Sequence, residues 1–161
     1  MGSAAGRYEG PLRSIIHAYK YDGRRSLAAP LVRLIVPTGR DVLCDADWVI
    51  PVPLHPWRRL TRGFNQAADL ANGLGRPVAH ALWRRRHTTP QVSLPAHSRH
   101  ANLDGAFVLS PWAPALADRV VVLVDDVRTT GSTLVACAQV LKRAGVRETR
   151  ALTIAIADLR A

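Results

Sequence analysis

Apolar positions along the chain alternate between short continuous runs and helical spacings. The clearest run is Val120-Val121-Val122-Leu123-Val124, five mostly β-branched residues that predict a strand buried on both faces. After Asp125 and Asp126 comes Thr129-Thr130-Gly131-Ser132-Thr133, and then Leu134, Cys137, Ala138 and Leu141 mark one face of a helix. Lys142 and Arg143 sit in its last turn and Gly145 is placed to end it. Upstream, Leu12, Ile15, Ile16 and Tyr19 predict a first helix starting at Pro11 and stopped by Asp22-Gly23. Ser26 is placed to cap a second, with Leu27, Leu31, Leu34 and Ile35 on its apolar side and Pro37 and Gly39 at its end.

The segment from Asp47 to Leu54 reads as a short buried strand running into a proline-stiffened loop that continues from His55 to Gly63. Asn65 then caps a helix carrying Leu70 and Leu74, which Gly73 or Gly75 can terminate. A weaker apolar patch spans Val78 to Leu82, and the polar stretch from Arg84 to Asn102 has no clear period and reads as a mobile lid rich in donors. Phe107-Val108-Leu109 resumes a strand, Pro111 to Ala117 makes a turn, and Thr149 to Ile156 gives a last strand. Strands alternating with helices predict an α/β fold with a mainly parallel central sheet flanked by helices. No repeat or linker divides the chain, so one domain over 1–161 is expected, with residues 1–10 flexible.

Length and composition narrow the class. The 161 residues suffice for one core of ordinary size, and no apolar run approaches the length of a membrane span. The first residues have neither the basic nor the apolar region of a secretory signal. Cys44 and Cys137 are the only cysteines, which indicates neither a disulfide framework nor a zinc site and fits a reducing, cytoplasmic setting. A net charge of +10 asks for an anionic partner, and nearly all the cations are arginines, whose guanidinium forks suit phosphate, pyrophosphate or a nucleic-acid backbone. Four Trp, three Tyr and two Phe are not interleaved with basic residues in the way of a base-stacking surface.

A strand ending in two carboxylates, then a hydroxyl- and glycine-rich turn, then a helix is the layout of an anion site. Backbone N–H groups from Thr129 to Ser132, the helix dipole and the hydroxyls of Thr129, Thr130, Ser132 and Thr133 can all point at a phosphate. Asp125 and Asp126 cannot bind that phosphate; they are placed to accept from sugar hydroxyls or to hold a cation. A phosphorelay receiver domain also has a strand ending in two acids, but only 35 residues follow Asp126, too few for its later strands. A Walker-type hydrolase is excluded because its glycine-lysine loop is missing.

The stretch from Val120 to Thr133 resembles the ribosyl-phosphate signature of type I phosphoribosyltransferases. Upstream blocks resemble one branch of that fold, the ComF family: Tyr19-Lys20-Tyr21-Asp22-Gly23, Val52-Pro53-Leu54-His55, Arg62-Gly63-Phe64-Asn65-Gln66, and Arg86, Thr88, Gln91, Arg99 and Asn102 before Gly105-Ala106-Phe107. The resemblance implies a type I phosphoribosyltransferase fold with a small hood from N-terminal segments. It also implies that Thr129, Thr130, Gly131, Ser132 and Thr133 hold the 5-phosphate of phosphoribosyl pyrophosphate while Asp125 and Asp126 hold the ribose hydroxyls. Pro53, Leu54 and His55 would form the pyrophosphate loop with Arg62 near it, and Arg86, Thr88, Gln91 and Arg99 would close over it as catalytic lid donors. Mg2+ would bridge ribose and pyrophosphate oxygens, and an unidentified nitrogen acceptor would displace pyrophosphate. Further partners open on this reading are single-stranded DNA, the competence machinery and a second copy of the chain. The alternative is a non-catalytic nucleic-acid-binding or regulatory protein on the same fold. Many ComF proteins carry an N-terminal four-cysteine zinc ribbon, and no cysteine precedes Cys44 here.

Overall fold

The apolar run forms β5 (Val120–Arg128), which continues through both acids to Arg128. This computed structural model describes residues 1–54, 56–85 and 105–157. β5 lies between β2 (Trp48–Pro51) and β6 (Glu148–Ile156), and β6 pairs in turn with β1 (Gly2–Arg7). Every pairing in the order β1-β6-β5-β2 is parallel, as the alternation of elements predicts.

Successive side chains of a strand point to opposite faces, and β5 feeds two separate cores. On one face, Val122 and Val124 pack with Ile16 and Tyr19 of α1 (Gly10–Tyr21), Ile35 of α2 (Ala28–Leu43) and Leu70 of α4 (Gln66–Asn72). On the other, Val121 and Leu123 pack with Leu134, Cys137 and Leu141 of α5 (Ser132–Arg143). Leu82 and Phe107 join that second core from β3 (Leu82–Arg84) and β4 (Phe107–Leu109), an antiparallel pair outside the main sheet. Cover on both faces is why β5 reads as an unbroken apolar run rather than an alternation.

Three elements differ from the expectation. Residues 2–7, expected to be flexible, form β1 against β6, with Gly2 opposite Ala151 and Gly6 opposite Ala155. The strand has almost no apolar signal because its small residues pack backbone close against α2, where the Ser3 hydroxyl donates to the Thr38 carbonyl at 2.7 Å. α2 is not capped by Ser26, which lies in a 3-10 turn over Arg25–Leu27, and it runs through Pro37 to Leu43. An interior proline costs a helix one hydrogen bond; packing outweighs it here. Gly39 approaches β6 so closely that a Cβ would stand 2.8 Å from a Leu152 methyl, and Val42 and Leu43 are buried beyond it. The buried Arg150 then holds the helix end, donating to the carbonyls of Val42 and Cys44 and to Asp45 while pairing with Glu148. Finally, the expected loop after β2 contains a helix, α3 (Pro56–Arg62), whose first residue is a proline, a common opening. No helix among the described residues is long and apolar enough to cross a membrane.

Candidate functional site

β5 delivers the chain to a tight turn from which α5 departs. Gly131 is the residue before α5, with φ +78°, in the left-handed region that glycine adopts without steric cost. Its carbonyl accepts from the Val135 N–H at 2.9 Å, the first bond of the helix. The Thr130 and Ser132 hydroxyls are 2.7 Å apart, and Thr130 Oγ1 also accepts from the Ser132 N–H at 3.3 Å. These two hydroxyls therefore brace the turn, with Ser132 buried. Thr129 is exposed and Thr133 half-buried. A cleft of about 590 Å³ is lined by Arg128, Thr129, Thr130 and Gly131 together with Leu134 and Val135. The cleft thus combines a helix N-terminus, hydroxyls and a guanidinium, a set suited to an anion.

The two acids leave the strand on opposite faces. Asp126 follows Val122 and Val124 toward α1, where its Oδ1 lies 2.8 Å from Lys20 Nζ with both side chains largely buried. The same carboxylate accepts from the Val127 N–H at 2.6 Å. Asp125 follows Val121 and Leu123 toward α5, and accepts from the Asp126 N–H at 2.9 Å. Burial pushes the Asp125 carboxyl up to about 7; the Asp126 charge adds to this, while the Asp126 N–H, Lys20 and Arg84 oppose it. Burial likewise raises the neighbouring Cys137 thiol.

A raised carboxyl has a consequence for stability. Between the ordinary value of 3.8 and about 7 the folded state keeps a proton that the unfolded chain has lost. Stability therefore falls as pH rises through that window and levels off above it. Asp125→Asn removes this contribution. The variant is expected to gain on the wild type by on the order of 1–4 kcal/mol between pH 4 and pH 8. Urea denaturation of both proteins across that range measures the difference; a pH-independent gap would rule the shift out.

On the neighbouring strand, Val52 N–H donates to the Val124 carbonyl at 2.9 Å, so the half-buried Pro53 and Leu54 start their loop next to the acids. The Arg62-to-Gln66 block braces this loop. Asn65 caps α4 by accepting from Ala67 N–H at 3.1 Å, and its amide donates to the Val52 carbonyl at 3.2 Å. The Phe64 ring packs 5.6 Å from Tyr19, whose hydroxyl donates to the Gln66 carbonyl at 3.1 Å. Arg62 lies over the Tyr21 ring at 4.7 Å and donates to Gln66 Oε1 at 3.3 Å. It lines a second cleft, apart from the Gly131 turn. His55, Arg86, Thr88, Gln91 and Arg99 lie outside the described residues.

Residues 60–159 match the phosphoribosyl transferase domain. Competence protein F of Haemophilus influenzae is 37% identical over 153 residues, covering 89% of this chain and 67% of that protein. The chain belongs to the ComF family of phosphoribosyltransferase-domain proteins. A second ComF-type relative, DNA utilization protein YhgH of Escherichia coli (strain K12), is 37% identical over 86% of this chain and 64% of its own length. Purine phosphoribosyltransferase from Pyrococcus horikoshii Ot3 overlays on 80% of this chain and 72% of its own with 21% identity and a TM-score of 0.47. The chain spans about two thirds of the length of the curated relatives it matches.

In this ComF chain the structure adds residues to those named from the sequence. Lys20, named from the sequence only as part of the Tyr19-to-Gly23 block, joins Asp126. Arg128 lines the 590 Å³ cleft, directly before the turn. Arg84 lies 5.4 Å from the Phe107 ring, where burial lowers its pKa and where it feels the Asp125 charge.

Proposed function

We propose that the protein binds phosphoribosyl pyrophosphate with Mg2+ and transfers the phosphoribosyl group to a nitrogen acceptor, releasing pyrophosphate. The observation that carries this reading is the Gly131 turn at the N-terminus of α5, set only a few residues after the largely buried acids of β5. The 5-phosphate would lie on the turn, against the N–H groups from Thr129 to Ser132 and the Arg128 guanidinium, with Thr130 and Ser132 holding the turn's shape and Thr133 opening the helix. Asp126, and Asp125 once ionised, would accept from the ribose hydroxyls and so fix the ring relative to the phosphate. Pro53 and Leu54 would pass beside the pyrophosphate, with Arg62 at the rim, and His55, Arg86 and Arg99 would supply its remaining donors. The acceptor nitrogen forms a bond to C1 as the C1–O bond to pyrophosphate breaks; that bond's electron pair leaves on pyrophosphate and the nitrogen's proton passes to water.

With Asp125 and Asp126 on opposite faces of β5, one carboxylate at a time could meet a magnesium ion, which suits an ion that arrives on substrate oxygens and keeps most of its waters; no group of three or more ligating side chains occurs among the described residues. Bound there, the ion would neutralise charge on the departing pyrophosphate. At a ligand concentration about 100 times its Kd, phosphoribosyl pyrophosphate is expected to raise Tm by about 5–10 °C, and only with magnesium present. Pyrophosphate release against a panel of purines, pyrimidines and amines then tests turnover. No stabilisation and no release would remove the transferase reading.

One feature favours a second reading, contact with single-stranded nucleic acid. Trp83 and Trp112, far apart in sequence, meet with ring centroids 4.9 Å apart and are 44% and 77% exposed. The exposed Arg85 follows Trp83 closely in the chain, and an aromatic pair next to a cation can stack bases. On this reading Trp83→Ala weakens oligonucleotide binding severalfold and binding falls steeply with salt; equal binding by the variant excludes it.

A further inference from the structure

A second cleft opens on the α1 side of the acid pair. It encloses about 430 Å³ between the C-terminal end of α1 and α3, a volume within the usual range for small-molecule sites, and shares no lining residue with the phosphate cleft. Three of its lining residues are cations, Lys20, Arg58 and Arg62, and none is a carboxylate. Two more are aromatic and largely exposed, Tyr21 at 60% and Trp57 at 61%. Because Lys20 is paired with Asp126, the cleft adjoins the acid at the end of β5.

These groups ask for different things of a ligand. Arg62 lies over the Tyr21 ring at 4.7 Å and donates to Gln66 Oε1, so its guanidinium is pre-oriented and covers that ring. Arg58 has no carboxylate partner among the described residues. Pyrophosphate would satisfy the cations but not the rings. A neutral base would stack on Trp57 but leave Arg58 unmatched. A flat anion meets both, through ring stacking and a forked, charge-assisted contact.

We propose that this cleft is the acceptor site and that the acceptor is a planar, nitrogen-bearing aromatic carrying a carboxylate or an equivalent anionic group. The inference rests on the transferase reading for the word acceptor, while the cleft's preference for flat anions stands on its own geometry. Arg58 takes the anionic group and Trp57 a ring face, Arg62 over Tyr21 is left to the pyrophosphate rim, and the ring nitrogen is turned toward the ribose held at Asp126.

Matched probes test it. Nicotinate with nicotinamide, and orotate with uracil, differ mainly in the anionic group. Each is titrated by calorimetry into the full chain, alone and with ribose 5-phosphate, which can occupy the donor site without reacting. The carboxylates are expected to bind at least about tenfold more tightly than their neutral partners, one charge-assisted contact being worth that much. Arg58→Ala should erase the difference and Trp57→Ala should weaken both members of a pair. Neither residue lines the phosphate cleft, so stabilisation by magnesium phosphoribosyl pyrophosphate should persist in both variants. Equal binding within each pair, no binding by any probe, or displacement of the carboxylates by inorganic pyrophosphate through Arg58 would each overturn the proposal. Discrimination within the pairs without any stabilisation by phosphoribosyl pyrophosphate would retain a flat-anion site and remove the transferase reading instead.

Discussion

With valine at position 131, the protein is expected to fold less stably and to lose stabilisation by phosphoribosyl pyrophosphate. Gly131 has φ +78°, where a β-branched residue is a steric outlier. Space is not the problem, since a Cβ there would meet nothing closer than Arg128 Cδ at 3.8 Å. The cost is in the backbone, about 1–3 kcal/mol if the turn is kept. If the turn relaxes instead, the Thr130–Ser132 pair and the bond from Val135 N–H to the Gly131 carbonyl are lost with it. A β-branched residue favours the relaxed turn, in which the N–H groups proposed to face the phosphate lose their arrangement. Losing two charge-assisted hydrogen bonds at 1.5–3 kcal/mol each weakens binding by at least about 100-fold. Thermal denaturation without ligand reads the first effect, and the ligand-induced rise in Tm reads the second. A valine variant with an undiminished ligand shift would place the phosphate elsewhere.

The legibility of this chain followed the physical origin of each signal. β5 and α5 were readable because burial on both faces of a strand and on one face of a helix leaves a pattern in the side chains themselves. β1 was not, because small residues paired through backbone against β6 leave none. The continuation of α2 beyond Pro37 was hidden because it depends on Leu152 packing against Gly39 and on Arg150, residues more than a hundred positions away. At the site, the turn from Thr129 to Thr133 was legible as a local motif. The separation of Asp125 and Asp126 onto opposite faces followed from strand alternation, but their partners did not, since Lys20 and Arg84 come from distant elements. The Arg62-to-Gln66 block carried a correct family signal and, in Asn65, a correct helix cap, but its packing role was not legible. Phe64, Asn65 and Gln66 tie α1, α4 and the end of β2 together, and Arg62 is the block's one residue in the lining of the two clefts described.

Asp126→Asn is the second substitution expected to have a large effect, and Lys20 decides how it must be read. The asparagine carbonyl can still accept from Val127 N–H, so the local backbone is kept. What is lost is the charge facing Lys20 at 2.8 Å, in a pair whose side chains are only 14% and 12% exposed. Stranding a buried ammonium is costly, but Lys20 also lines the 430 Å³ cleft and can turn its head toward water there. A loss of about 1–3 kcal/mol is expected, below that for a fully buried pair. Binding of magnesium phosphoribosyl pyrophosphate is expected to fall by at least about 10-fold, the worth of one hydrogen bond to a charged group. The two effects separate in a double-mutant cycle with Lys20→Met. Removing the cation together with the carboxylate should restore much of the stability, because no unpaired charge is left. Ligand binding should stay lost, because a carboxylate that holds the ribose cannot be replaced by removing its neighbour. Recovery of binding in the double variant would mean that Asp126 acts only by anchoring α1, and the ribose contact would have to be reassigned to Asp125.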